Sequence, residues 1–174
     1  AKSFGMRFVC VLCILLLTAC VQKKNTAPVF PYPEKETVFS GLNKPWSIAF
    51  LSNSMALVTE KNGNLVHVDL KTKKKKVVKG FPKDLTDSIG VINFGDNAGL
   101  FEVIKHPDFK KNQWVYISYT SKKPGVGRTT KFIRAKFERD SLIDVMPIFV
   151  AEPYTKDDFH YGGGMVFGAD KKLY

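Results

Sequence analysis

The chain has 174 residues with 44% hydrophobic and 13% aromatic content, enough apolar surface for a core and far from the composition of a disordered chain. Its formal charge is +11, but much of that comes from Lys71, Lys73 to Lys76 and the lysines near the N-terminus, and a lysine run between apolar stretches reads as a solvated turn. No aromatic interleaving or binding motif accompanies these lysines, so no nucleic-acid partner is expected; a weak attraction to anionic lipid suits them better.

The first residues differ in kind from the rest. After Ala1 to Gly5 come Met6-Arg7, the apolar Phe8 to Leu17 and Thr18-Ala19-Cys20, the charged, apolar and small-residue order of a secretion signal. The apolar run is too short to span a bilayer comfortably, and it lacks the polar positions of a buried amphipathic helix. Leu17-Thr18-Ala19-Cys20 resembles the bacterial lipoprotein box. That resemblance implies acylation of Cys20 and a chain exported to the cell envelope, periplasmic and lipid-anchored to the membrane. Residues 1–20 are then the leader, with 1–5 upstream of the true start, 21–35 the polar, proline-bearing tether, and 36–174 the folded part. Cys10, Cys13 and Cys20 are the only cysteines, so the folded part has no disulfide to rely on.

From Glu36 the sequence breaks into short β-type runs bounded by turn residues. Strands are expected at Thr37–Phe39, Ser47–Phe50, Ala56–Glu60, Leu65–Asp69 and Val77–Val78. Asn62-Gly63-Asn64 marks a hairpin. His67 alternates with apolar neighbours and reads as a solvent-facing strand residue rather than a ligand. A long connection, Phe81 to Gly99, carries Asp84, Asp87, Asp96 and Asn97, and connections of that length are commonly functional. Leu100–Ile104, the turn His106-Pro107-Asp108-Phe109 and Trp114–Tyr119 read as strand, turn, strand. The proline presses His106 out of the helical region and makes it a turn residue, not a catalyst. After the Lys122–Gly127 turn, Thr129–Phe137 is a further strand, and Ile148–Ala151 begins the next connection. The last stretch, His160-Tyr161-Gly162-Gly163-Gly164-Met165, sets a histidine at the mouth of a strand on a glycine hinge that lets backbone approach a ligand closely.

No segment has a sustained helical period. Ile48 to Val58 matches Val103 to Ile117, and both match Met165 to Tyr174, with a repeat of about 55 to 62 residues, the range in which four-stranded propeller blades recur. A stacked β-sandwich is the rival all-β architecture, but it does not account for the self-similarity. Blades bury their faces against neighbours, so the chain reads as the front part of a longer propeller.

Gly41-Leu42-Asn43-Lys44-Pro45-Trp46, Gly99-Leu100-Phe101 followed by His106-Pro107-Asp108-Phe109, Trp114 to Tyr119 and His160 to Tyr174 together resemble the soluble PQQ-dependent sugar dehydrogenases, the glucose/sorbosone dehydrogenase family. The resemblance implies a six-bladed β-propeller of which the first two to three blades are present. It implies PQQ and Ca²⁺ as cofactors, a sugar substrate and an external electron acceptor. His160 would be the general base, a role that an imidazole of ordinary pKa near 6.5 suits. Asn97 would contact substrate, where the family usually has a longer amide. The cofactor-clasping basic residues and calcium ligands belong to later blades, so no metal ligand and no cofactor ligand is assigned here, and the chain by itself is expected to be inactive. Many members carry an arginine where Gly164 stands and an acid where Phe159 stands; Asp157 and Asp158 lie close by. Two other readings stay open: a non-catalytic propeller that binds a carbohydrate or protein partner, and a propeller hydrolase using metal-bound water, for which Asn93 and Asp96 are the hints.

Overall fold

In a computed structural model the described residues are 33–85, 97–156 and 161–174. Residues 33–36, the described end of an N-terminal unit, carry no regular structure and are exposed, and Thr37–Tyr174 forms a compact unit of its own.

Among the described residues, eight strands form two antiparallel sheets, each in simple meander order. The first holds β1 (Pro45–Phe50), β2 (Met55–Glu60), β3 (Asn64–Asp69) and β4 (Lys74–Val77); the second holds β5 (Leu100–Lys105), β6 (Trp114–Lys123), β7 (Gly127–Glu138) and β8 (Ser141–Val150). Tight connections enforce the meander. Gly63, at φ 103°, turns β2 into β3, and its N–H donates to Glu60 O at 2.9 Å, as the Asn-Gly-Asn signal predicts.

Strand alternation decides what each face covers. Leu57 and Leu65 of the first sheet and Val103, Val115, Ile117, Tyr119, Ile133 and Ala135 of the second meet in one core between the sheets. Val58, Val66 and Val68 point the other way. Phe39 and Leu42 lie over them, which is why Thr37–Phe39, expected as a strand, is instead an extended cover. Met165 is buried, and Phe167 pairs with Leu173 across a short bridge after it.

Other expectations also change. The lysine run is not a solvated turn: Lys74–Val77 is edge strand β4, and the turn before it is closed by Asp69 Oδ1, which accepts from Lys71 and Thr72 N–H at 2.9 and 3.1 Å. Ile148–Ala151 does not start a connection, because β8 runs from Ser141 to Val150; Pro147 is tolerated there on an edge strand. One helical turn, α1 (Phe109–Asn112), follows His106. His106 closes that turn as predicted, its Nδ1 lying 3.0 Å from Asp108 N and 2.8 Å from Asn112 Nδ2. His67 is not solvent-facing: it lies half-buried against Phe137, and its Nδ1 pairs with Asp140 of the second sheet at 2.5 Å.

Candidate active site

β1, β5 and the segment from Tyr161 to Met165 start along one edge, and two buried hydroxyls set their spacing. Thr59 Oγ1 accepts from Ser47 N–H at 3.0 Å and donates to Phe101 O at 2.6 Å. Ser118 Oγ accepts from Glu102 N–H at 3.1 Å and donates to Gly163 O at 2.6 Å. Each hydroxyl, from the second strand of its sheet, faces the register shift in the first or inner strand, β1 between Pro45 and Ser47 and β5 between Leu100 and Val103. It supplies the hydrogen bonds that the bulge removes from the ladder and passes them to the neighbouring inner strand. A second contact repeats beside it: Val103 N–H donates to Ser47 Oγ at 3.3 Å, and Met165 N–H to Glu102 Oε2 at 2.7 Å.

This latching brings the strand starts into close contact. Gly99, at φ 142°, lies against Lys61 O, where any Cβ would collide. A Cβ on Gly163 would come within 2.8 Å of Phe101 Cβ, so part of the glycine run predicted as a hinge is needed for close packing. Tyr161 stacks on Phe101 with ring centroids 6.3 Å apart. Between these groups lies a cleft of about 230 Å³, lined by Trp46, Ser47, Glu102, Tyr161 and Gly164 among others. Trp46 is 59% exposed and has the Lys61 ammonium 5.3 Å from its ring centroid. Aromatic rings beside a carboxylate suit a polyhydroxylated ligand, whose C–H face packs on a ring while its hydroxyls donate to the acid.

Asn97 is exposed two residues before Gly99, at this same edge. His160, Phe159, Asp157 and Asp158 lie outside the described residues, as do Asn93, Asp96 and Cys20; Tyr161, the residue after His160, is at the cleft. Sequence reasoning missed Glu102, Ser118 and Thr59. Comparing the repeats position by position would have found the hydroxyl pair, since both sit in the second strand of a sheet. Gly164, where the resemblance expects arginine, has open space: a Cβ there would meet only Glu102 Oε2, at 3.8 Å.

Asp84 anchors the start of the long connection. Its carboxylate accepts from Tyr119 Oη at 2.8 Å, Ser121 Oγ at 2.7 Å and Lys131 Nζ at 2.8 Å. Burial pushes its pKa up, but the Lys131, Ser121 and Tyr119 contacts outweigh that and hold it below the ordinary aspartate value. Burial, and then the Asp84 carboxylate, push the Tyr119 phenol well above its ordinary pKa.

Among the described residues, no group of three or more His, Cys, Asp and Glu is placed to hold a metal ion. Among the described residues the cleft lining presents a carboxylate and no cation, so these residues do not fit a tricarboxylate quinone.

Two antiparallel four-stranded sheets joined inner strand to inner strand, with a cleft where those strands begin, define a blade-built β-protein that carries its site at the strand starts. Residues 42–174 match the glucose/sorbosone dehydrogenase family, and the chain belongs to that family. The quinoprotein glucose dehydrogenase B of Acinetobacter calcoaceticus is 29% identical over 149 residues, covering 81% of this chain and 30% of that protein. A crystal structure of a glucose dehydrogenase superposes with a TM-score of 0.68 at 28% identity, over 81% of this chain and 40% of the other. The PQQ-bound aldose sugar dehydrogenase of Streptomyces coelicolor superposes at 0.60 and 26% identity, over 79% and 39%. The chain spans about a third of the length of the curated relatives it matches.

Proposed function

We propose that the full-length protein is an exported quinoprotein of six blades that oxidises a hydroxyl of an aldose or related sugar. The observation that carries this reading is the family match through the glycine-bearing segment, together with the packing of that segment's first residues on a cleft of polyol-binding character. PQQ, held by parts of the protein beyond these residues with Ca²⁺, would supply the two-electron acceptor that no side chain offers. The chain's own residues have simpler tasks. His160 takes the hydroxyl proton as general base. Asn97 hydrogen-bonds the substrate, and Ser118 and Glu102 fix the segment Gly163 to Met165 that follows His160. A non-catalytic carbohydrate binder is the second reading, favoured by Gly164, which leaves bare the place where relatives carry an arginine.

The test is dye reduction by the full-length protein, reconstituted with PQQ and Ca²⁺, across a panel of aldoses beside His160→Ala. The expected loss in the variant is about 10²- to 10⁴-fold, the usual contribution of a general base. Equal rates would detach His160 from the chemistry, and no rate from folded protein would favour the binder. Export and anchoring through Cys20 are also proposed here. Cys20→Ser is expected to move the protein from the membrane fraction to the soluble one and to abolish fatty-acid labelling.

A further inference from the structure

The β6–β7 hairpin carries a feature that the oxidation of a sugar does not use. β5 begins at Leu100 opposite Tyr119, and β6 runs on past that point to Lys123, paired with Gly127. The hairpin tip therefore lies at the edge where the inner strands begin. The chain leaving β8 returns to it, with Arg128 N–H donating to Thr155 O at 2.7 Å and Thr155 N–H to Arg128 O at 2.9 Å. The Lys123 ammonium lies 5.7 Å from the Tyr154 ring centroid. Between hairpin and return is an open cleft of about 420 Å³ whose lining includes Lys122, Lys123, Arg128 and Lys156, and no acidic residue among those described.

We propose that this basic cleft is the docking surface for an acidic protein electron acceptor. The inference rests on the sugar-oxidising reading, because only a redox enzyme needs such a partner. Converting one hydroxyl to a carbonyl releases two electrons and two protons, so each turnover must reduce two one-electron acceptors, with the protons passing to solvent. An acceptor has to approach the edge that holds the site, and the cations stand at that edge. Lys122, Lys123 and Lys156 are exposed; point charges spread around an open rim steer a large anionic partner rather than enclose a small anion. Their concave arrangement suits a convex protein surface better than a flat membrane.

The experiment compares native cytochrome c, which is basic, with its succinylated form, which carries the same haem under reversed surface charge. Full-length protein loaded with PQQ and Ca²⁺ oxidises a sugar with each as acceptor, and with a neutral dye, as ionic strength is raised. The succinylated form is expected to react faster, with a rate that falls at least ~10-fold between about 10 and about 200 mM salt. The double variant Lys123→Glu with Lys156→Glu is expected to lose most of that preference while its rate with the neutral dye stays unchanged. An unaltered salt dependence in the variant overturns the proposal. So does a raised PQQ requirement, which would make the cleft part of the cofactor site, or a loss of binding to anionic vesicles with no change toward cytochrome. If neither dye nor cytochrome is reduced, the sugar-oxidising reading fails. The surface is then judged by direct titration, where equal binding of the two cytochromes sinks it and salt-sensitive preference for the acidic form supports it.

Discussion

Ser118 hydrogen-bonds β5 and the segment at Gly163 through a single buried hydroxyl, and its removal isolates two backbone groups at once. Ser118→Ala leaves Glu102 N–H and Gly163 O without that partner, at an expected cost of about 1–3 kcal/mol, read from urea unfolding. Thr59→Ser retains the hydroxyl and should cost less than Thr59→Val, which abolishes the bond to Phe101 O. Asp84 is the residue through which acid should act. Its pKa is depressed in the fold, so its contribution is complete above the unfolded aspartate value of about 3.9 and disappears as pH falls through the lower folded value. Asp84→Asn should therefore cost about 2 kcal/mol at pH 7 and much less at a pH below the folded value, measured by denaturant midpoints at both. Gly164→Arg should fold, because the space beside it is open toward Glu102, and a gain in stability that Glu102→Gln removes would show the pairing. The Thr59 and Ser118 pair was legible only through the repeat, and the Asp84 contacts were not legible at all, because an Asp in a loop looks ordinary until its partner strand is known.

The elements were legible wherever short-range chemistry decides them. β2, β3, β5 and β6 were expected from alternation and turn residues because each is held mostly by its own hairpin. β4 and β8 were misread because their residues lack the usual β-type signal: β4 is three lysines and a valine, and Pro147 interrupts β8. The lysines of β4 are accommodated by acids contributed from elsewhere: Lys75 Nζ reaches Glu60 Oε1 at 2.9 Å and Lys76 Nζ reaches Asp140 Oδ2 at 2.9 Å. The Lys76 contact, followed by the His67 contact, lowers the Asp140 pKa. The Lys76–Asp140 pair is largely solvated, so a double-mutant cycle should give less than about 1 kcal/mol. Leu57, fully buried between the sheets, should cost about 2–5 kcal/mol as Leu57→Ala, a contrast that places the cohesion of the sheets in apolar packing rather than in surface charge.

At the scale of the whole molecule, the repeat seen in the sequence is the repeat of the structure, and the candidate site is only partly visible from either. Periodicity shows where strands begin again but says nothing of which side chain reaches the neighbouring strand. The outer faces are apolar: Ile48 and Phe50 are each 50% exposed and Phe149 is 58% exposed, on opposite sheets. Patches of this kind invite association, so 37–174 alone is expected to self-associate in sedimentation, and Ile48→Glu combined with Phe149→Glu to reduce it.

The hydroxyl latches carry a consequence for how such an array is cut or extended. They tie the second strand of one sheet to the chain that follows that sheet, β5 for Thr59 and the Gly163 segment for Ser118, so the unit of cohesion is offset by one strand from the unit of pairing. A cut between β4 and β5 looks tidy in topology, yet it would take Phe101 O from the Thr59 hydroxyl and leave only the longer contact to Ser47 O, at 3.5 Å. A splice at the corner beyond Phe50 or Lys105 keeps each latching hydroxyl with the carbonyl that receives it, while parting it from the N–H it accepts from. The interchangeable module is thus β2-β3-β4-β5, a frame that begins in the middle of a sheet.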